Sequence, residues 1–271
     1  MSSYSLIESD MTLTQTAPAG AFAIQGVTVN MPDAESLLGA MRAKFAKGEG
    51  FAVATLNLDH VAKLAGTPAF RAAYARHDLV TADGFPIVWA CRLAGGRSTR
   101  VAGSDMVEPM IAMAAELGLR VAFVGSTQQT LEDAAQVLEA RFPKLVIAAK
   151  LAPSRNFDPN GQEADDILEA LEAENAQLIF VCLGAPKQEI FAARGRERLT
   201  KAAFASVGGG IDFIVGAQRR APALFQRLNM EWTWRLLTNP KRLAGRYARA
   251  ATMLPQLLTS ALRYRQSRAA N

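Results

Sequence analysis

Short apolar runs alternate with amphipathic segments along most of the chain, from about Ala21 onwards. Each apolar run is too short for a helix and is rich in β-branched or aromatic residues, which is typical of buried strands. We predict six strands, at Phe51–Asn57, Leu79–Ala82, Arg120–Val124, Leu145–Lys150, Leu178–Leu183 and Ala202–Val207.

The segments between these runs carry recognisable helix starts. Thr67 precedes Pro68, Phe85 precedes Pro86, and Thr127 precedes a helical pattern at Gln128–Arg141. Strands that alternate with helices indicate an α/β fold, with a Rossmann-like, mostly parallel sheet and helices on both faces.

Composition places the chain among globular proteins. It has 271 residues, half of them hydrophobic, and can bury a sizeable core. Cys91 and Cys182 lie far apart within apolar stretches, which suits a reducing compartment, so we expect a cytoplasmic protein. Neither a signal peptide nor a spanning helix is indicated, because no window of eighteen residues is both apolar and free of charge.

Positive charge is concentrated at the C-terminus. The last forty residues hold eight Arg and Lys and no acidic residue, whereas the whole chain has a formal net charge of +5. Leucines recur at helical spacing in this stretch, so we expect a basic amphipathic helix at an anionic surface. The alternative is a solvated helix whose arginines aid solubility. We divide the chain into a loose tail (1–20), a Rossmann-like domain (21–217) and a basic helical C-terminal appendage (218–271).

The predicted strands end in small or polar residues, where parallel sheets bind their ligands. Backbone N–H groups at Gly125, Ser126, Gly184 and Gly209 could approach a nucleotide diphosphate closely. Neither a Walker motif nor a GxGxxG fingerprint is present. The alternative is that these small residues serve ordinary packing.

Taken in order, the strand-end motifs resemble the WecG/TagA/CpsF glycosyltransferases. The resemblance covers nearly everything from Ala21 to Tyr247, and that family often stops soon after this point. The matching segments are Thr55–Asn57, Ala82–Gly84, Arg100–Asp105, Phe123–Ser126, Leu183–Glu189, Gly208–Asp212, Arg220–Pro222, Glu231–Arg235 and Asn239–Arg242.

The resemblance implies an inverting, metal-independent enzyme. It would move a hexose or N-acetylhexosamine, of the ManNAc, ManNAcA or glucose type, from a UDP-sugar to an undecaprenyl-diphosphate-linked saccharide. The implied partners are these two substrates and an anionic membrane surface at the inner face of the cell membrane. We expect no cofactor and no nucleic acid, and homo-oligomerisation is left open.

Asp83 matches the general base of the family, and such assistance is worth about 10² to 10⁴ in rate. Its alternative is a simple Asp-Gly turn. Thr55 and Asn57 are predicted to bind sugar or acceptor, or else to cap a helix near Asp59.

Further substrate contacts are predicted on later loops. Gln188 and Glu189 would bind sugar hydroxyls, and Lys187 would face a phosphate. Asp105 would orient the acceptor, although Ser104-Asp105 is also an ordinary helix start.

Arginine suits a diphosphate leaving group, because its planar fork donates two hydrogen bonds to phosphate oxygens. The predicted phosphate ligands are Arg100, Arg220, Arg235 and Arg242. We expect Arg249, Arg263, Arg265 and Arg268, with Leu254, Leu257, Leu258 and Leu262, to face lipid instead.

No metal site is predicted, since the chain has no Asp-x-Asp motif and no cysteine or histidine cluster. His60 is expected on a helix surface. Two other classes of protein are left open: a dinucleotide-dependent oxidoreductase, and a non-enzymatic basic module that binds membrane or nucleic acid.

Overall fold

The computed structural model describes residues 22–24, 26–216, 222, 225, 231–238 and 240–269. Within these ranges, the side chains at 24, 231, 232, 235, 242, 243, 246, 268 and 269 lie outside the description. Arg220, predicted to bind phosphate, and the predicted tail 1–20 also lie outside it.

Eight strands occur in the described residues. They are β1 (Phe22–Ile24), β2 (Val27–Val29), β3 (Phe51–Leu56), β4 (Leu79–Ala82), β5 (Arg120–Gly125), β6 (Val146–Leu151), β7 (Leu178–Cys182) and β8 (Ala203–Ser206). All six predicted strands are confirmed, with their ends shifted by at most one residue, and the hairpin of β1 and β2 adds two that were not predicted.

Twelve helices occur in the same described part of the chain. They are α1 (Ala34–Ala46), α2 (Leu58–Gly66), α3 (Pro68–Tyr74), α4 (Phe85–Leu93), α5 (Gly103–Leu117), α6 (Gln128–Arg141), α7 (Gln162–Ala173), α8 (Lys187–Arg198), α9 (Gly210–Ile214), α10 (Glu231–Thr238), α11 (Pro240–Ala251) and α12 (Leu254–Ala269). The predicted starts of α3, α4 and α6 are confirmed, and Thr127 caps α6 by accepting the N–H of Thr130.

The main sheet has six parallel strands in the order β4-β3-β8-β7-β5-β6. Every residue of β3 and β7 is buried, as expected for central strands covered on both faces. Helices α1, α5 and α6 pack on one face, and α2, α3, α7 and α8 pack on the other. The predicted α/β class with helices on both faces is therefore confirmed.

The exposed edge of β4 is closed by the segment after β2. The N–H groups of Asn30 and Met31 donate to Val80 O at 3.1 and 3.0 Å. The Asn30 side-chain amide accepts the Val80 N–H at 2.8 Å and donates to Asp78 O at 2.7 Å. Unpaired groups on this edge are thereby satisfied, which removes a site for unwanted strand pairing.

The basic C-terminal segment forms separate helices rather than one continuous helix. Helix α11 packs against α2, and α12 packs against α4 and β1. Leu257 and Ala261 of α12 are fully buried in the core beneath α4, and Tyr264 lies edge-on to Phe22 with ring centroids 6.0 Å apart.

The expectation that Leu257 faces lipid is therefore wrong, because its side chain completes the protein core. Leu258 and Leu262 remain exposed, as do Arg249, Arg263 and Arg265, whereas Leu254 is half-buried. Within the described residues, no helix combines the length and the apolar character needed to cross a bilayer.

Candidate active site

The carboxyl ends of the six parallel strands bring the predicted site loops to one edge of the sheet. The Asp83 N–H donates to Leu56 O at 2.8 Å, which joins the loops after β3 and β4. The Ser126 N–H donates to Cys182 O at 3.1 Å, which joins the ends of β5 and β7. The predicted strand-end residues thus lie along a single edge.

Asp83 is half-buried between the end of β4 and the start of α4. Gly84 follows with φ of +99°, a backbone conformation that other residues rarely adopt, and the chain turns there into α4. Burial raises the pKa of Tyr74 well above its usual range, and the charges of Glu189 and Asp83 add to this effect.

Asn57 caps α2. Its Oδ1 accepts the His60 N–H at 3.0 Å, and its Nδ2 lies 3.5 Å from His60 Nε2. The helix-capping alternative is thus confirmed for Asn57, while a ligand role for the remaining amide proton stays a prediction. Thr55, on β3, is 7 % exposed, and its carbonyl accepts the Tyr74 hydroxyl at 2.9 Å.

Gln188 bridges two loops from within the protein. It is 5 % exposed, its Oε1 accepts the Gly208 N–H at 2.9 Å, and its Nε2 donates to Glu189 Oε1 at 2.8 Å. The side chain therefore ties the start of α8 to the loop after β8. A sugar-binding role for Gln188 stays a prediction.

Glu189 has a fully buried side chain. Its Oε2 has no hydrogen-bond partner among the described residues. Burial raises the pKa of Glu189 from 4.5 to about 7, against the opposing effects of the Gln188 hydrogen bond and the Lys63 charge. The group can therefore hold a proton close to neutral pH.

His60 was expected on a helix surface, and this expectation is wrong. The ring is 5 % exposed and lies edge-on to Phe70 and Tyr74, with centroids 5.8 and 6.0 Å apart. Its position three residues after the cap Asn57, on the same face as Leu64, is the only sequence signal for this burial.

Lys63 was missed by sequence reasoning. Its Nζ lies 2.9 Å from Asp59 Oδ2 and donates to Ala185 O at 3.0 Å, so α2 is tied to the loop after β7. Gly184 in that loop is exposed, and its carbonyl accepts the N–H of the half-buried Lys187 at 3.0 Å.

The loops after β5 and β8 meet through side chains. Ser126 Oγ donates to Asp212 Oδ1 on α9 at 2.9 Å. A Cβ added at Gly125 would lie 2.3 Å from Cys182 O, so only glycine fits between these strands. Packing therefore requires Gly125, whereas Gly209 is exposed before α9.

Arg100 and Asp105 are brought together as an ion pair, with Arg100 Nη2 2.7 Å from Asp105 Oδ2. The neighbouring Val101 N–H donates to Ala82 O at 2.8 Å, which places the pair beside the Asp83 loop. Arg235 lies on α10 and Arg242 on α11, and their side chains are outside the description.

A surface cavity of about 400 Å³ is lined by Pro32, Asp33, Arg92, Gly96, Arg97, Ser98 and Thr99. It contains none of the predicted site residues, and Asp33 there already accepts the Ser36 N–H as the cap of α1. The strand-end edge, with its converging polar side chains, is therefore the better candidate site.

Comparison with known proteins decides the class. The sequence model of the glycosyl transferase WecG/TagA/CpsF family matches residues 22–271. The chain belongs to this family. It is also 26 % identical, over 224 residues, to the N-acetylglucosaminyldiphosphoundecaprenol N-acetyl-beta-D-mannosaminyltransferase of Bacillus spizizenii, with 82 % of this chain and 83 % of that protein covered.

Membership of the WecG/TagA/CpsF family makes the chain a glycosyltransferase. The two alternative classes, an oxidoreductase and a non-enzymatic binding module, are therefore wrong. The family match continues to residue 271, so the stretch after Tyr247 is part of the family pattern rather than a departure from it.

Replacing Glu189 by Gln tests the buried carboxyl. Because its pKa is raised from 4.5 to about 7, the folded protein keeps a proton there that the unfolded chain releases. As the pH rises from 4.5 to about 7, the free energy of unfolding of the wild type should therefore fall relative to that of Glu189→Gln. The fall should be at most about 3 kcal/mol. Urea unfolding across this range measures the difference.

The exposed Glu139→Gln variant is the matched control, and its difference from wild type should show no such slope. A constant difference between wild type and Glu189→Gln over the same pH range would show that Glu189 is not held protonated.

Proposed function

We propose that this glycosyltransferase moves N-acetylmannosamine, or a closely related hexosamine or hexose, from a UDP-sugar to an undecaprenyl-diphosphate-linked saccharide during cell-surface polysaccharide synthesis. The Bacillus spizizenii relative supports the transferred sugar and the acceptor, since its name specifies an N-acetylmannosaminyl group and an N-acetylglucosaminyldiphosphoundecaprenol acceptor. The main structural support is the row of polar strand-end loops around Asp83.

Asp83 is the general base in this proposal. The acceptor hydroxyl attacks the anomeric carbon, its proton passes to the Asp83 carboxylate, and the bond from that carbon to UDP breaks. Attack from the side opposite the leaving group inverts the anomeric centre. Glu189 is fully buried whereas Asp83 is half-buried, which favours Asp83 over Glu189 as the reacting carboxylate.

Cationic groups stabilise the departing UDP. Lys187 lies at the start of α8, where backbone N–H groups and the helix dipole favour phosphate. Arg220, Arg235 and Arg242 would add bidentate contacts from the C-terminal segment. Helix α11, which carries Arg242, packs on α2, and α2 begins directly after Asn57.

Metal independence is part of the proposal. No group of three or more His, Cys, Asp or Glu that could hold a metal ion occurs in the described part of the chain. The sequence also lacks the Asp-x-Asp motif.

We also propose peripheral association with the inner face of the cell membrane, in line with a lipid-linked acceptor. Trp89 on α4 is 59 % exposed, and it lies only six residues after Asp83. Helix α12, with exposed Leu258, Leu262, Arg263 and Arg265, packs against α4. Exposed aromatic and leucine side chains beside arginines suit an anionic lipid interface.

Asp83→Asn should bind UDP normally and transfer sugar at least about 10²-fold more slowly, because the amide cannot accept the proton. The assay uses UDP-N-acetylmannosamine and a synthetic lipid-diphosphate N-acetylglucosamine, with UDP binding measured separately by calorimetry. Asp158→Asn, in an exposed loop after β6, is the matched control.

Turnover by Asp83→Asn at the wild-type rate would remove Asp83 from the mechanism.

Metal independence is tested in the same assay, where excess EDTA should leave the wild-type rate unchanged. A strict need for added Mg²⁺ or Mn²⁺ would mean that a metal, rather than arginines, meets the diphosphate charge.

Trp89→Ala should weaken binding to vesicles containing anionic lipid by about tenfold, through loss of buried apolar area. Arg265→Glu, as a separate single variant, should also weaken vesicle binding and make that binding more sensitive to salt, since each basic residue near an anionic leaflet contributes about 1 kcal/mol. Vesicle co-sedimentation measures both effects.

Leu117→Ala, at an exposed position of α5, controls for apolar surface, and Arg155→Glu controls for net charge. If Trp89→Ala binds vesicles as tightly as the control Leu117→Ala and the wild type, the proposed membrane surface is wrong.

A further inference from the structure

A chain of buried polar groups lies beneath Asn57. The Tyr74 hydroxyl donates to Thr55 O at 2.9 Å and lies 2.7 Å from His60 Nδ1. On the other side of the ring, His60 Nε2 lies 3.5 Å from Asn57 Nδ2. Tyr74 is 2 % exposed and His60 is 5 % exposed, so water does not substitute freely for these contacts.

The positions of the protons follow from what each group can donate. A backbone carbonyl only accepts, so the single phenol proton of Tyr74 points to Thr55 O. The phenol oxygen is then the acceptor in its contact with His60, and Nδ1 must carry a proton. In the neutral ring this leaves Nε2 as an acceptor.

The helix cap orients the amide that faces Nε2. Asn57 Oδ1 accepts the His60 N–H at 3.0 Å, so the amide cannot turn over without losing the cap of α2. The donor Nδ2 therefore faces the bare Nε2 of His60. This contact is long, as hydrogen bonds in sites without substrate often are.

Only one protonation state satisfies all four contacts. A proton on Nε2, in either the other neutral form or the charged ring, would point at the Asn57 amide protons and push that side chain away from its place. The phenol excludes the other neutral form, because that form has no proton on Nδ1 to donate to the Tyr74 oxygen. The Asn57 amide disfavours the charged form, because its Nδ2 protons face Nε2.

Charged groups surround this chain on several elements. Glu189 Oε1 from α8 lies 3.9 Å from His60 Nδ1, Lys63 and Asp59 pair on α2, and Asp83 follows β4. Burial raises the pKa of Tyr74 well above 10, so the phenol keeps its proton. The pKa of Glu189, raised to about 7, limits the negative charge that would draw a second proton onto His60.

We propose that Tyr74 and His60 are positioning residues of the transfer reaction: the Tyr74 hydroxyl holds His60 in its Nδ1-protonated neutral form, and His60 Nε2 holds the Asn57 amide in the orientation that binds substrate. This inference rests on the proposed function only for the substrate role of Asn57. The proton arrangement itself is a property of the protein without substrate.

Nitrogen NMR tests the arrangement without any substrate. The chain has only two histidines, and ¹⁵N shifts of a labelled sample distinguish protonated from bare ring nitrogens. His77 is an internal reference, because its Nδ1 donates to Ala73 O at 2.9 Å and its pKa is lowered to about 4 by burial. Both rings should be neutral and protonated on Nδ1 near pH 7, and a proton on His60 Nε2 would overturn the proposal.

Tyr74→Phe tests the consequence for transfer, since it keeps the buried ring and removes only the hydroxyl. We expect kcat to fall about tenfold, with UDP affinity and cooperative unfolding retained. Tyr264→Phe makes the same chemical change on α12 and should leave transfer unchanged. A wild-type kcat for Tyr74→Phe would overturn the proposal.

Two replacements of His60 separate its nitrogens. In His60→Gln the longer amide can place an acceptor near the position of Nε2, whereas in His60→Asn the shorter amide can reach only the Nδ1 position. The proposal requires a higher kcat from His60→Gln than from His60→Asn, and the reverse order would contradict it.

Failure of the proposed function is distinguishable from failure of this inference. If no UDP-sugar is a donor, the kinetic arms yield no transfer for wild type, yet the NMR result still decides where the His60 proton lies.

Discussion

The buried amide of Gln188 is the contact on which the active-site edge depends. Its oxygen accepts the N–H of the half-buried Gly208, and its nitrogen donates to the fully buried Glu189. Removing it would leave both groups without this partner, at about 1 to 3 kcal/mol for the buried carboxyl. Gln188 therefore holds the loop after β8 against the start of α8. Through Glu189, it also helps to fix the face of α2 that carries His60.

The rest of the fold supports this edge from outside. Helix α4 begins directly after Asp83-Gly84, and α12 completes the core beneath α4 through Leu257 and Ala261. The C-terminal segment is thus joined to the Asp83 loop by apolar packing, while Arg249, Arg263 and Arg265 are exposed. In the proposed function, this segment would both stabilise the fold and contact anionic partners.

Much of the sheet was predictable because buried parallel strands read as continuous apolar runs, and α6 was predictable because Thr127 caps it. The hairpin of β1 and β2 was not, since strands of three residues carry little periodicity. The burial of Leu257 could not be predicted from the sequence either. The amphipathic pattern of α12 shows that one face of the helix is apolar, but it does not show whether protein or lipid covers that face. Asp83 and Asn57 could be predicted as site residues because they directly follow strands in the sequence. The contact of His60 on α2 with Tyr74 on α3 could not, because the two residues are fourteen positions apart and meet only through the packing of the two helices.

A crystal structure of the protein with UDP would show whether the carboxyl edge of the parallel sheet is the nucleotide-sugar site. We expect the diphosphate at the loops after β5, β7 and β8, with its sugar-bearing end toward Asp83. Electron density for UDP in the cavity lined by Arg92 and Arg97, with the strand-end loops unoccupied, would contradict this expectation.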